Sequence, residues 1–178
     1  DKAQQLRGSF VYANLSDRMT AIRALATDAA DPYAGKVLAA RAAARIAPTS
    51  LPDEDLYILI SSMFAGGLDN NAVNWASEVP VGSQAWGLLA VGSPRPLVGV
   101  SSGNVGDFED DDPSTDKMRT RFLAASLIGL GRVEGGDASS LASRYNLGLN
   151  RETRWTRAIS TAADRGEAGT VALLAAIG

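Results

Sequence analysis

The sequence predicts an all-α protein of about eight or nine short helices in antiparallel pairs, arranged as an α-α superhelix or an irregular helical bundle with one long loop. Three observations carry this expectation. Apolar residues recur at helical spacing through most of the 178 residues. Gly, Pro and capping residues punctuate those stripes at short intervals. A helix with a tryptophan on its apolar face, a turn and an Ala/Leu-rich helix is also written more than once. N-N-A-V-N-W-A-S-E-V runs into G-S-Q-A-W-G-L-L-A, and N-R-E-T-R-W-T-R-A-I runs into G-E-A-G-T-V-A-L-L-A. One such pair cannot cover its own apolar stripe, so it must stack on neighbours.

The first stripe is Leu15, Met19, Ile22, Ala26 and Ala29, with Ser16 as a reasonable N-cap. The second helix opens at Asp31-Pro32, carries Tyr33, Val37, Ala40 and Ala44 on its inner face, and stops at Pro48. A third starts near Ser50, places Asp53, Glu54 and Asp55 at the positive end of its dipole, buries Leu56, Leu59, Ile60, Met63 and Phe64, and ends at Gly66-Gly67. Asp69 or Asn70 caps the fourth, in which Ala72, Trp75, Ala76 and Val79 share a narrow stripe before Pro80. Gly82-Ser83 opens the fifth around Trp86, Leu88, Leu89 and Val91.

From Gly92 to Pro113 no helix signal is read, and a short extended piece is expected at Leu97-Val98-Gly99-Val100. A loop of that length in a compact domain is either functional or disordered. Helix resumes at Ser114 with Met118, Phe122, Leu123, Ala125, Leu127 and Leu130, followed by a short helix capped by Asp137 that runs through Leu141 and Tyr145. Asn150 is the expected cap of the next, with Trp155, Ala158, Ile159, Ala162 and Ala163 on one face; Gly166 ends it, and Thr170 to Ile177 forms a last apolar helix. The expected organisation is a single domain over 1–178, with an internal repeat of helix pairs at 67–91 and 147–177 and the long loop at 92–113.

Composition closes many routes to catalysis. Histidine and cysteine are both absent, which removes the usual nucleophiles, general bases, soft metal ligands and redox pairs and leaves any acid/base work to Asp, Glu, Lys, Tyr, Ser or Thr. A net charge of -3 provides no electrostatic footprint for nucleic acid. The longest apolar stretch, Leu56 to Leu68, is broken by Ser61, Ser62, Gly66 and Gly67 and is shorter than the roughly 18 to 20 residues that a membrane span needs. The chain is expected to be soluble, cytoplasmic or extracytoplasmic. It opens on Asp1 and not Met, as a product processed or trimmed upstream would, so the compartment is not legible in it.

Four groups of residues stand out as candidates. Asp107, Glu109 and Asp111, in the acidic run that continues through Asp112 to Asp116, are the candidate ligands for a hard cation such as calcium. The run fails the EF-hand pattern, with Asp112 where the turn glycine belongs and Met118 where the bidentate acid belongs. The plainer reading is a solvated loop whose last acids favour the N-terminus of the following helix. Arg144, Arg151, Arg154, Arg157 and Arg165 form a basic excess suited to an anion, or else complement nearby acids on exposed helix faces.

Trp75 and Trp155 are expected in the core beside alanines. Trp86, nearest the long loop, is the candidate for ligand contact, with Glu78 as its acidic neighbour. Among Glu54, Glu78 and Glu134, Glu78 is the least implausible for carboxylate chemistry, and the plainer reading of it is an exposed helix-end acid. The glycines of Gly129-Leu-Gly131-Arg-Val-Glu134 follow a helix and lack the third glycine of a dinucleotide fingerprint, and Gly103-Asn-Val-Gly106 lacks the following Lys-Ser/Thr of a phosphate loop.

The stretch W-T-R-A-I-S-T-A-A-D-R-G-E-A-G-T-V-A-L-L-A resembles a Sel1 or tetratricopeptide-type helix pair, with its aromatic residue, paired alanines and turn glycine. Ala162, Ala163 and Gly166 lie about one helical turn too far from Trp155 for Sel1, and the family periods are not kept, so the resemblance is one of architecture. The function expected is a non-catalytic interaction or scaffold module that binds a protein partner or self-associates, with no cofactor, no nucleic acid and no membrane span. The alternative is an acid-dependent enzyme or small-molecule binder whose pocket lies between helix pairs near the acidic loop.

Overall fold

The computed structural model describes residues 1–28, 30–95, 100–148 and 153–177, with the side chains at 168, 172 and 175–177 left aside. The described residues are all-helical and contain no strand. Eleven α-helices are present among them: α1 (Lys2–Val11), α2 (Leu15–Ala26), α3 (Pro32–Ala43), α4 (Asp53–Ala65), α5 (Asp69–Val73), α6 (Gln84–Gly92), α7 (Ser102–Asp110), α8 (Met118–Gly129), α9 (Gly135–Arg144), α10 (Arg154–Asp164) and α11 (Ala168–Ile177), with a single 3-10 turn at Thr115–Lys117. No described helix is long and apolar enough to cross a membrane. Ala29, the extended piece expected from Leu97 to Gly99 and the Asn150 cap lie outside the described residues.

The chain forms two compact units, Asp1–Leu141 and Ala142–Gly178. In the first, most helices pack on a neighbour in sequence and several on the next but one: α1 on α2 and α3, α2 on α3 and α4, α3 on α4, α4 on α5 and α6, and α8 on α6 and α7. The core follows that succession. Ile22 and Leu25 of α2 and Ala39, Ala40, Ala42 and Ala43 of α3 are buried where these two helices pack, and Leu56, Leu59, Ile60 and Met63 of α4 are buried beside them. Small residues on α3 let the flanking helices approach closely. In the second unit α10 packs on α11, with Ala162 buried.

Several helices start where sequence chemistry places them. The Asp31 carboxylate accepts from the Ala34 amide with Pro32 behind it, and the Ser83 hydroxyl accepts from the Trp86 amide. Others differ. The first helix of the chain, α1, precedes any apolar stripe and buries only Gly8 and Ser9. The cap of α2 is Asn14, and that of α10 is Thr153 in a reciprocal pair with Thr156.

The segment 92–113, read as a loop, contains α7. Its signal is a Ser101–Asn104 capping box, in which Asn104 replaces the usual Glu or Gln, followed by only two buried residues, Val105 and Phe108. Conversely, the fourth predicted helix shortens to α5, and residues 74–78 are tight turns. The Trp75, Ala76 and Glu78 amides bond three residues back, to Ala72, Val73 and Trp75. Asn70, Asn71 and Asn74 favour such local turns over a regular helix.

The two tryptophans of the expected repeat therefore occupy different positions. Trp75 is 1% exposed beyond the end of α5, whereas Trp155 is 39% exposed in the first turn of α10. The expectation that Trp155 is a core residue is corrected: a helix hairpin offers each helix one partner face, and a bulky side chain in the first turn of α10 is left partly uncovered. Tyr33, Val37, Phe122 and Leu130, also placed on inner faces, are exposed.

Gly35 fixes the approach of α3 to the end of α2. A Cβ there would lie 2.2 Å from the Leu25 carbonyl oxygen. In an exposed helix, Gly to Ala stabilises by up to about 1 kcal/mol. Here the sign reverses: Gly35→Ala is expected to lower stability by roughly 2 kcal/mol in urea unfolding, because backbone must move to admit the methyl.

Candidate functional site

Helices α4, α6, α7 and α8 enclose a cleft of about 510 Å³. Its walls are Tyr57 and Phe64 from α4, Leu88 and Val91 from α6, and Phe122 with Leu123 from α8. Gly87 and Gly92 of α6 line it as well, each with an aromatic ring close against it. A Cβ at Gly87 would lie 2.7 Å from the Phe108 ring, and one at Gly92 would lie 2.9 Å from the Phe64 ring. Two aromatic rings therefore rest directly against α6, which only glycine permits. Phe108 is also braced by Trp86, with ring centroids 6.5 Å apart at an interplanar angle of 49°.

A second cleft, about 390 Å³, shares Tyr57, Gln84 and Arg119 with the first and adds Asp53, Glu54, Ser83 and Asp111. One side of the combined site is thus apolar and the other carries three exposed carboxylates and one guanidinium. Gln84 stands at the junction. Its Oε1 accepts from Arg119 Nη1 at 3.5 Å, while its Nε2 is buried with no hydrogen-bond partner. Lys36 Nζ lies 5.2 Å from the centroid of the Tyr57 ring.

The residues singled out in the sequence are distributed differently. Trp86 is 6% exposed and braces the cleft from behind through Phe108. Glu78 is half-buried in the turn before α6 and accepts from the Ser77 hydroxyl at 3.3 Å. Neither lines the two clefts. Asp107, Glu109 and Asp111 fall on α7 and its C-cap, where successive odd positions turn about 200° apart, so Glu109 points away from the other two. Among the described residues no three acids gather closely enough to hold a metal ion. Of the arginines, Arg154, Arg157 and Arg165 line a shallow groove of about 450 Å³ between α10 and α11, Arg144 lies over the Tyr145 ring, and Arg151 is outside the described residues.

Asp112 has a structural task. It is 3% exposed, and its carboxylate accepts four hydrogen bonds: the Ser114 amide and hydroxyl at 2.9 and 2.6 Å, and the Thr120 amide and hydroxyl at 2.9 and 2.7 Å. Burial disfavours its charge, but the bonds from Ser114 and Thr120 outweigh that and hold the carboxyl well below the usual carboxylate range. Lys117 Nζ completes the knot by donating to the carbonyls of Glu109 and Asp112, at 2.7 and 3.0 Å.

Tyr57, Phe64, Gln84, Arg119 and Phe122 are the site residues that the sequence reading did not assemble. The available signal was Gly87 and Gly92 inside an otherwise apolar helix, where each glycine costs about 1 kcal/mol unless something packs against it. No known protein family matches the chain, and no curated protein or solved structure does either.

Two predictions test this geometry. Asp112→Ala strands four donors and is expected to cost about 3 kcal/mol at neutral pH. Because the folded carboxyl titrates below its unfolded value, that contribution is present above about pH 4 and fades as pH falls further, so the gap between wild type and variant should narrow in acid unfolding. Gln84→Met removes the unpaired Nε2 donor and should raise stability by about 1 kcal/mol, read as a higher melting temperature.

Proposed function

We propose that this protein is a non-catalytic interaction module that holds a segment of a protein partner in the groove between α4, α6, α7 and α8. One observation carries the reading: Phe122 stands 67% exposed on α8, beside an apolar cleft walled by Tyr57, Phe64, Leu88 and Val91. Covering a phenylalanine of this kind is worth about 1.5–3 kcal/mol, and apolar clefts with a polar rim are where soluble proteins meet partners. The cleft suits a helix or extended segment that inserts two or three apolar side chains at helical or strand spacing.

The acids of the adjoining polar cleft stand exposed on helix ends and not in an apolar pocket, which supports binding over acid/base chemistry. The succession in which helices pack on the next and the next but one supports reading the first unit as a stacked α-α array, a common platform for such grooves.

Selection of displayed random peptides on the immobilised protein tests this. Enriched peptides are expected to share an apolar pattern, to bind with micromolar affinity, and to weaken roughly tenfold or more against Phe122→Asp, whose melting temperature should match wild type because the side chain is exposed. Enrichment of no common pattern, or peptides indifferent to Phe122→Asp, would overturn the reading.

A further inference from the structure

Resting on that reading of the groove, the structure also points to the chemistry of its occupant: we infer that the docked segment is basic as well as apolar, with a Lys or Arg side chain seated among Asp53, Glu54 and Asp111. The acids around this end of the molecule divide into two sets. Asp55 is buried and paired with Arg23 at 2.5 Å, and Asp112 is consumed by Ser114 and Thr120. Asp53 and Asp111, which line the polar cleft, make no ion pair among the described residues. The acids that look inward are satisfied. Of those that look into the cleft, Glu54 feels the Arg23 charge, while Asp53 and Asp111 are left without an ion pair among the described residues.

Among the described residues lining that cleft, Arg119 is the one cation against three carboxylates, and its guanidinium is shared with Gln84 Oε1. The two α4 acids gain from the helix dipole at their N-terminal position, which explains them without a ligand. Asp111 is different. It caps the C-terminus of α7, where a carboxylate opposes the dipole, and although Lys117 Nζ meets the Glu109 and Asp112 carbonyls on either side of it, the Asp111 carboxylate itself pairs with no cation among the described residues. Its charge is left facing the cleft, where a cation from a partner would meet it. Because the polar cleft shares Tyr57, Gln84 and Arg119 with the apolar groove, one segment can fill both, with apolar anchors beside Phe64, Leu88 and Phe122 and a basic residue within about a helical turn of them.

Fluorescence anisotropy with two labelled nonapeptides tests this on the intact protein: Lys-Leu-Leu-Ala-Lys-Leu-Leu-Ala-Lys and its counterpart with Glu in place of each Lys. The Lys peptide should bind roughly tenfold tighter, and the preference should shrink several-fold between about 50 and 500 mM salt. In the Asp53→Lys/Asp111→Lys variant the preference should invert, and both peptides should be lost with Phe122→Asp. The salt titration on wild type keeps the test sound if the double variant misfolds. Equal binding of both peptides, each abolished by Phe122→Asp, overturns the basic partner while leaving the groove in place. Tighter binding of the Glu peptide overturns it too. Failure of both peptides to bind sinks the groove reading, and this inference with it.

Discussion

Helix α4 is covered by protein on nearly every side, and that enclosure organises the first unit. It packs on α2, α3, α5 and α6, and buries Leu56, Ile58, Leu59, Ile60 and Met63 together with Asp55, Ser61 and Ser62. A helix apolar around most of its circumference must be central. Of the polar groups it carries inward, Asp55 is met by Arg23 from α2 and Ser61 donates to the Ile58 carbonyl, while the Ser62 hydroxyl is buried with no hydrogen-bond partner. The Arg23 guanidinium is held in its charged form by the hydrogen bond it donates to Asp55, which ties α2 to α4. What α4 leaves half-covered are Tyr57 and Phe64, and these two rings become one wall of the groove.

The opposite wall depends on how α6 and α8 are held apart. At the far end of α8, Arg132 reaches back and donates to the carbonyls of Ala90 and Ser93, both at 2.6 Å. It thus satisfies the C-terminal carbonyls of α6, which a helix ending in Gly92 and Ser93 would otherwise expose. At the near end of α7, the Ser102 amide and hydroxyl donate to Asp137 of α9, placing a carboxylate at the positive end of α7. The residue expected to cap its own helix serves another helix instead. Between these ties, Phe108 and Phe64 lean on the glycines of α6, and the space beyond them stays open.

Periodicity made the fold class legible, because most of the helices carry apolar stripes long enough to count and stops that glycine and proline mark plainly. The failures share a physical cause. α1 and α7 have almost no apolar stripe; they exist because of end chemistry, Asp1 on the Ala3 amide in one case and the Ser101–Asn104 box in the other. Residues 74–78 have a good stripe but turn early, since three asparagines and Pro80 outweigh the pattern. The candidate site was harder still. Its walls come from four helices, and a wall residue such as Phe122 reads as core because periodicity records the face of a helix but not whether anything covers that face.

The acidic run shows how the same composition can be split between a buried, hydrogen-bonded carboxylate and exposed ones. Asp116 and Lys117 hold left-handed backbone, with φ of 54° and 52°, a conformation unfavourable for both side chains. It persists because it is over-determined on both sides. Asp112 binds the amides of Ser114 and Thr120, Ser114 Oγ in turn accepts from the Arg119 amide at 3.0 Å, and Lys117 donates back to the end of α7. These bonds fix where α8 starts and how it is rotated. Rotation is what matters for the site, since Arg119 and Phe122 are three residues apart and so lie on one side of the helix, the first meeting Gln84 and the second overhanging the groove. The buried acid therefore sets the geometry, while its exposed neighbour Asp111 supplies charge to the cleft that this geometry creates. A run of like charge that a composition count treats as uniform is divided, residue by residue, by which carboxylates find donors within the fold and which are left for something else.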